Sequence, residues 1–137
     1  MKTVLVFLTC FLVFIPLKAQ NAALTGNWTM FEYSWTNEQG KQVTTEDQIK
    51  ANGGISEYQF MDDGKFRLTS NMADESTGTV TYDGTWKLEE GKLMLNIKMG
   101  DQLVDVVWNA EIKDNILNLT RSSPDNSVTV VNSFRRK

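Results

Sequence analysis

Arg121 follows Leu117 and Leu119 at intervals of two, which puts all three on one face of a strand. A guanidinium in an apolar row is costly to bury alone, so its chemistry is charged hydrogen bonding. Three partners are open to it: a ligand carboxylate, an internal acid such as Glu32, or solvent at the strand end. The other side chains able to build a binding site are aromatic. Tyr58, Phe60, Tyr82, Trp86 and Trp108 each fall on the apolar parity of a strand-like run. Such rings can wall an apolar pocket or simply fill a core.

Other chemistry has little to work with. The chain has no histidine and one cysteine, Cys10. Histidine-activated serine or cysteine nucleophiles and the common zinc ligand sets are therefore excluded. No paired carboxylates fall on the inward parity, which points away from an enzyme. Three acidic turns invite comparison with calcium loops: Glu38-Gln39-Gly40-Lys41, Asp62-Asp63-Gly64-Lys65 and Glu89-Glu90-Gly91-Lys92. They lack a dense run of oxygen ligands and read as hairpins closed by a type I turn and a glycine bulge. No metal or cofactor is implied.

The elements that must position these residues are strands. Eight runs alternate apolar and polar residues: 28–36, 57–61, 65–72, 77–88, 93–99, 103–113, 116–120 and 128–136. In the first run Trp28 and Met30 share one face, whereas Phe31, Tyr33 and Trp35 share the other. A bulge near Met30 would bring all five inside; a strand apolar on both faces and covered by a helix is the alternative. Residues 44–51 form the one good helical segment, with Thr44 or Thr45 as cap and Gly53-Gly54 as stop. Eight antiparallel strands can stack as a sandwich, but connections this short favour an up-and-down meander closed into a barrel, which also removes exposed edges. The expectation is an all-β fold: one eight-stranded antiparallel barrel with a short helix between its first strands.

Ahead of it stands a different segment. Met1-Lys2 is followed by the apolar run 4–15 and then Pro16-Leu17-Lys18-Ala19-Gln20. This reads as a secretory signal peptide over residues 1–19, cleaved after Ala19, with the barrel domain over 20–137. The run is shorter than the roughly 20 residues a membrane span needs. Thr9 before Cys10, and the apolar run continuing past it, disfavour a lipid-modified cysteine. Loss of Lys2 and Lys18 would move the formal charge from −3 to −5. That balance argues against nucleic acid and anionic membrane surfaces as partners. The expected location is outside the cytoplasm, periplasmic or secreted.

In order and spacing, Leu24-x-Gly26-x-Trp28, Tyr58-x-Phe60-x-x-Asp63-Gly64-x-Phe66, Gly84-Thr85-Trp86-x-Leu88 and the basic end Arg135-Arg136 resemble the bacterial lipocalin-like domains of the calycin group. The resemblance covers nearly all of residues 20–137. It implies that Trp28 packs near the closed end of the barrel against an arginine of the last strand, and parity prefers Arg136 to Arg135. Fatty-acid-binding proteins are a second, poorer resemblance, because their ten strands and two-helix lid fit this length less well. The resemblance implies binding or carriage of a small hydrophobic or amphipathic molecule, with Tyr58, Phe60, Tyr82, Trp86, Trp108 and Arg121 as candidate lining. A filled barrel serving as an interaction or structural module of the cell envelope is the competing expectation.

Overall fold

The runs of period two become strands that pair with their sequence neighbours and then close on themselves. The computed structural model of the chain describes residues 17–72 and 78–137. The apolar run expected to direct export lies outside the described residues, as does Thr77 of the expected fourth run. The elements are α1 (Leu17–Leu24), β1 (Gly26–Asn37), β2 (Gly40–Thr44), α2 (Glu46–Ala51), β3 (Ser56–Phe60), β4 (Lys65–Ser70), β5 (Val80–Glu89), β6 (Lys92–Met99), β7 (Gln102–Lys113), β8 (Ile116–Ser122) and β9 (Thr129–Arg136).

Closure depends on β1. Its first residues pair with β3, Trp28 opposite Tyr58, while its length from Trp28 to Thr36 pairs with β9, Trp28 opposite Arg136. The order β1-β3-β4-β5-β6-β7-β8-β9, with β9 returning to β1, is a closed eight-stranded antiparallel meander. Greek-key crossovers are absent from it. Trp28 and Phe134, where the first and last strands meet, are 0% and 1% exposed.

Four local features differ from the sequence expectation, the first being α1, a helix over Leu17–Leu24 where the sequence offered only the segment 44–51. A ninth strand, β2, pairs with the far half of β1, Tyr33 opposite Thr44. Its residues Gly40, Lys41, Gln42 and Val43 are all exposed, so no buried face left a period-two signal. The bulge sits between Met30 and Glu32, as the parity argument requires, and it restores Tyr33 and Trp35 to the inward face opposite Asn132 and Val130. Phe31 does not join them. It lies on the outer face, with the Arg135 guanidinium 4.5 Å from its ring centre, because the residue extruded at a bulge is displaced from the ladder. Finally, Glu90 and Gly91 both have positive φ, 51° and 75°, between the paired residues Glu89 and Lys92. That hairpin closes as a two-residue turn of mirror-image type, without the expected bulge.

The helix α2 begins two residues inside the expected segment, at Glu46. Thr45 caps it: its side chain accepts from the Gln48 backbone, and the Gln48 side chain accepts from the Thr45 N–H at 2.9 Å. Ile49 is its single buried residue, which anchors a helix far too short to be stable alone.

Candidate ligand-binding site

The barrel interior is packed at one end and graded toward exposure at the other. At the packed end the leading residues of β1 meet the ends of β3 and β9. The Trp28 indole donates to the Leu24 carbonyl at 2.8 Å, and Leu24, at the end of α1, is fully buried. Arg136 lies over the Trp28 ring at 4.3 Å and donates to the Thr25 carbonyl at 2.8 Å and to that of Ala23. The charge is thus satisfied by carbonyls and a π face without a carboxylate. The pairing implied by resemblance is present, with Arg136 rather than Arg135 inward.

Aromatic rings continue the packing. Tyr58 stacks on Phe60 at 5.1 Å and meets Phe134 edge-on at 5.3 Å, while Phe60 meets Trp86 edge-on at 5.7 Å. The Trp86 indole donates to the Met61 carbonyl at 3.0 Å. Burial pushes the Tyr58 phenol up to about 12, because the phenolate would lose its hydration there. Leu93, Leu95, Leu117 and Leu119 complete this core.

The six candidate residues therefore separate into groups. Tyr58, Phe60 and Trp86 lie within the packed end, at 7%, 1% and 8% exposure. Tyr82, further along β5, is half-buried on the inward parity. Trp108 and Arg121 come together at the other end, with the guanidinium 5.9 Å from the indole centre. Arg121 is exposed. No hydrogen bond or ion pair engages it among the described residues, and Glu32 is not its partner. Glu32 instead opposes Ser133 on the outer parity, on the far side of the bulge.

Trp108 and Arg121 belong to a hollow of about 320 Å³ whose other walls are Ser122, Ser123, Pro124, Val128 and Val130. The sequence marks residues 122–126 only as a loop containing Pro124. Ser123, Asp125 and Ser127 form a small rigid knot. Asp125 accepts from the Ser123 hydroxyl at 2.7 Å, the Ser127 hydroxyl at 2.6 Å and the Ser127 N–H at 3.0 Å. The Ser127 hydroxyl bond is the leading cause that lowers the Asp125 carboxyl to about 2. The spacing Ser123-x-Asp125-x-Ser127 was the available signal, since such residues bond to nearby backbone in turns. The knot holds one wall of the hollow in place. Chemically the site offers an indole face, two valine side chains and one unpaired cation. It has no group positioned for acid–base work, and no cluster of metal-ligating side chains occurs among the described residues.

Comparison with known proteins agrees with this geometry. Residues 24–119 match the family model described as lipocalin-like domain. Among solved structures, a lipocalin-like protein from Bacteroides uniformis ATCC 8492 superposes with a TM-score of 0.52 at 14% identity, over 84% of this chain and 99% of its own. An uncharacterized protein from Bacteroides eggerthii DSM 20697 gives 0.52 at 14% identity, over 82% of this chain and 98% of its own. At these identities the likeness is one of fold. No curated protein sequence matches the chain.

Proposed function

The chain belongs to the lipocalin-like domain family, and from that premise we propose that it is an exported, non-enzymatic binder of a small hydrophobic or amphipathic molecule carrying an acidic group. One observation carries the reading: an unpaired guanidinium beside a half-buried indole at the less densely packed end of a closed barrel. Apolar contact supplies most of the affinity in such a site, at roughly 25 cal/mol per Å² buried. The arginine chiefly orients the ligand, because a charged hydrogen bond discriminates acid from neutral head groups. The hollow lies near the lower limit of roughly 300 Å³ for ligand pockets, which suits a small molecule or one end of a longer one.

Export is part of the proposal and rests on the positive start, the apolar run 4–15 and the polar remainder. Native mass spectrometry of gently purified protein, followed by lipid extraction, tests the binding function. A bound organic acid released on denaturation is the expected result, and ligand-free protein that binds no apolar probe would reject it. N-terminal sequencing of the exported product should begin near Gln20; a soluble cytoplasmic product retaining Met1 would reject export.

A second reading, an interaction module with a filled barrel, draws on the outer face. Leu103 and Val107 of β7 are 69% and 47% exposed on the outward parity. It becomes the better reading if no saturable small-molecule binding is found.

A further inference from the structure

We propose that Tyr33 and Asn132 form a polar station inside the barrel, and that the ligand is an acid bearing a hydroxyl on its chain. The inference rests on the reading of Arg121 as the acid-binding end and adds a second point of recognition to it. Arg121 opposes Val130, a wall of the Trp108 hollow. Two residues further along β9, roughly 7 Å toward the packed end, stands Asn132. In register it lies between Leu119 of β8 and Tyr33 of β1. Phe134 follows on the same parity and is already part of the core. Asn132 therefore marks the boundary at which the open interior meets the packed end.

The chemistry of the ligand follows from what this pair leaves unused. Leu119 beside it is fully buried, whereas Tyr33 and Asn132 are each half-buried. Their outward neighbour Ser133 donates to Asn118 at 2.7 Å. By contrast, no hydrogen bond engages the Tyr33 hydroxyl or the Asn132 carboxamide among the described residues. Nor are these atoms sealed away: the one buried side-chain polar atom without a partner among the described residues is the Thr29 hydroxyl oxygen. Inward polar groups that are reachable and unpartnered at the edge of an apolar core are what orients a ligand in such a site. A carboxamide and a phenol both donate and accept. A hydroxyl meets both capacities, while a keto oxygen would leave the Asn132 carbonyl oxygen unmatched. A second carboxylate does not fit, because the inward row Tyr33, Asn132, Leu119 and Ala110 holds no cation to balance it.

The test compares octanoate, 8-hydroxyoctanoate and 2-hydroxyoctanoate by quenching of tryptophan fluorescence. With the acid at Arg121, the 8-hydroxyl reaches the depth of Asn132, whereas the 2-hydroxyl stays beside the head group. The parent should bind 8-hydroxyoctanoate at least as tightly as octanoate, although a purely apolar interior would penalise the added hydroxyl. Asn132→Leu should weaken 8-hydroxyoctanoate about tenfold and leave octanoate and 2-hydroxyoctanoate within about twofold of the parent. Its urea midpoint should not fall, since it replaces an unpartnered amide with an apolar side chain of similar volume. Tyr33→Phe should weaken 8-hydroxyoctanoate about threefold, and it decides the matter should Asn132→Leu fail to fold. Arg121→Gln should weaken all three acids alike, because it touches only the shared head group. An 8-hydroxyoctanoate affinity about tenfold or more below that of octanoate in the parent would overturn the polar station and leave the acid site standing. An unchanged ratio between those two acids in the folded variants would do the same. Binding of none of the three acids would overturn both.

Discussion

The Arg136 guanidinium rests on the Trp28 indole, 4.3 Å from its centre, where the last strand returns to the first. The same arginine donates to the carbonyls of Ala23 and Thr25, so one side chain joins α1, β1 and β9. A Cβ added to Gly26 would lie 2.8 Å from this guanidinium, and Gly26 has a φ of 131°. Close approach and backbone conformation both call for glycine there.

Arg136→Ala should lower stability by about 2–4 kcal/mol, combining a cation–π contact with charged hydrogen bonds to carbonyls. Arg136→Lys should recover less than half of that, because an ammonium cannot reproduce the planar fork. Urea unfolding of the three proteins measures it. A loss below about 0.5 kcal/mol for alanine would show that the closed end does not depend on this contact.

The sequence carried the barrel and its closed end because both rest on repetition and burial. Trp28, Tyr58, Phe66, Trp86, Leu93, Leu95, Leu117, Leu119 and Phe134 announce their face by period-two spacing, and all are buried. Even the bulge was visible, since the parity break between Met30 and Tyr33 has few other causes. Phe31 was misplaced because parity counts residues but does not say which one a bulge extrudes. The strand β2 was missed because it buries nothing. The site was less legible. Inward parity applies equally to Phe60 and Trp108, yet one lies in the packed end and the other beside a hollow. That difference depends on how far along a tilted strand each residue sits, which alternation does not record.

Tyr58 gives a prediction in base. Its folded pKa is raised by burial to about 12, against about 10 for an exposed phenol. The neutral form is favoured by folding, so this contribution is fully present below pH 10 and is lost as pH rises from about 10 to about 12. Two units correspond to about 2–3 kcal/mol. Tyrosinate absorbance during a base titration should show one late step coincident with unfolding, and Tyr58→Phe should remove that step. A Tyr58→Phe titration identical to the parent's would refute the assignment.

Gly84 pairs with Phe66 on one side and Ile97 on the other. A Cβ there would collide with the Asn96 carbonyl oxygen and stand 2.8 Å from the Phe66 ring. Backbone cannot yield as a side-chain end can, so Gly84→Ala should cost roughly 3 kcal/mol or more. Its urea midpoint should fall accordingly. A midpoint within error of the parent would mean that β5 and β6 separate without strain.

The two inward tryptophans of β5 and β7 should separate stability from binding. Trp86 is 8% exposed, edge-on to Phe60 and bonded to the Met61 carbonyl. Truncating it opens a cavity that its neighbours cannot fill, so Trp86→Ala should cost about 3–5 kcal/mol. Trp108 is half-buried beside Arg121. Its removal gives up less burial, and Trp108→Ala should cost about 1–2 kcal/mol. Ligand titration should invert that ranking: under conditions where all variants are folded, Trp108→Ala should lose about tenfold in affinity for a medium-chain fatty acid, roughly the value of one well-packed aromatic contact. Arg121→Gln should leave the urea midpoint unchanged while weakening the acid more than its methyl ester, since only the acid offers a charge to the guanidinium. Quenching of the remaining tryptophans follows both titrations. Equal losses for acid and ester would remove the head-group role of Arg121, and a Trp108→Ala affinity equal to the parent's would remove the hollow at Trp108 from the binding site.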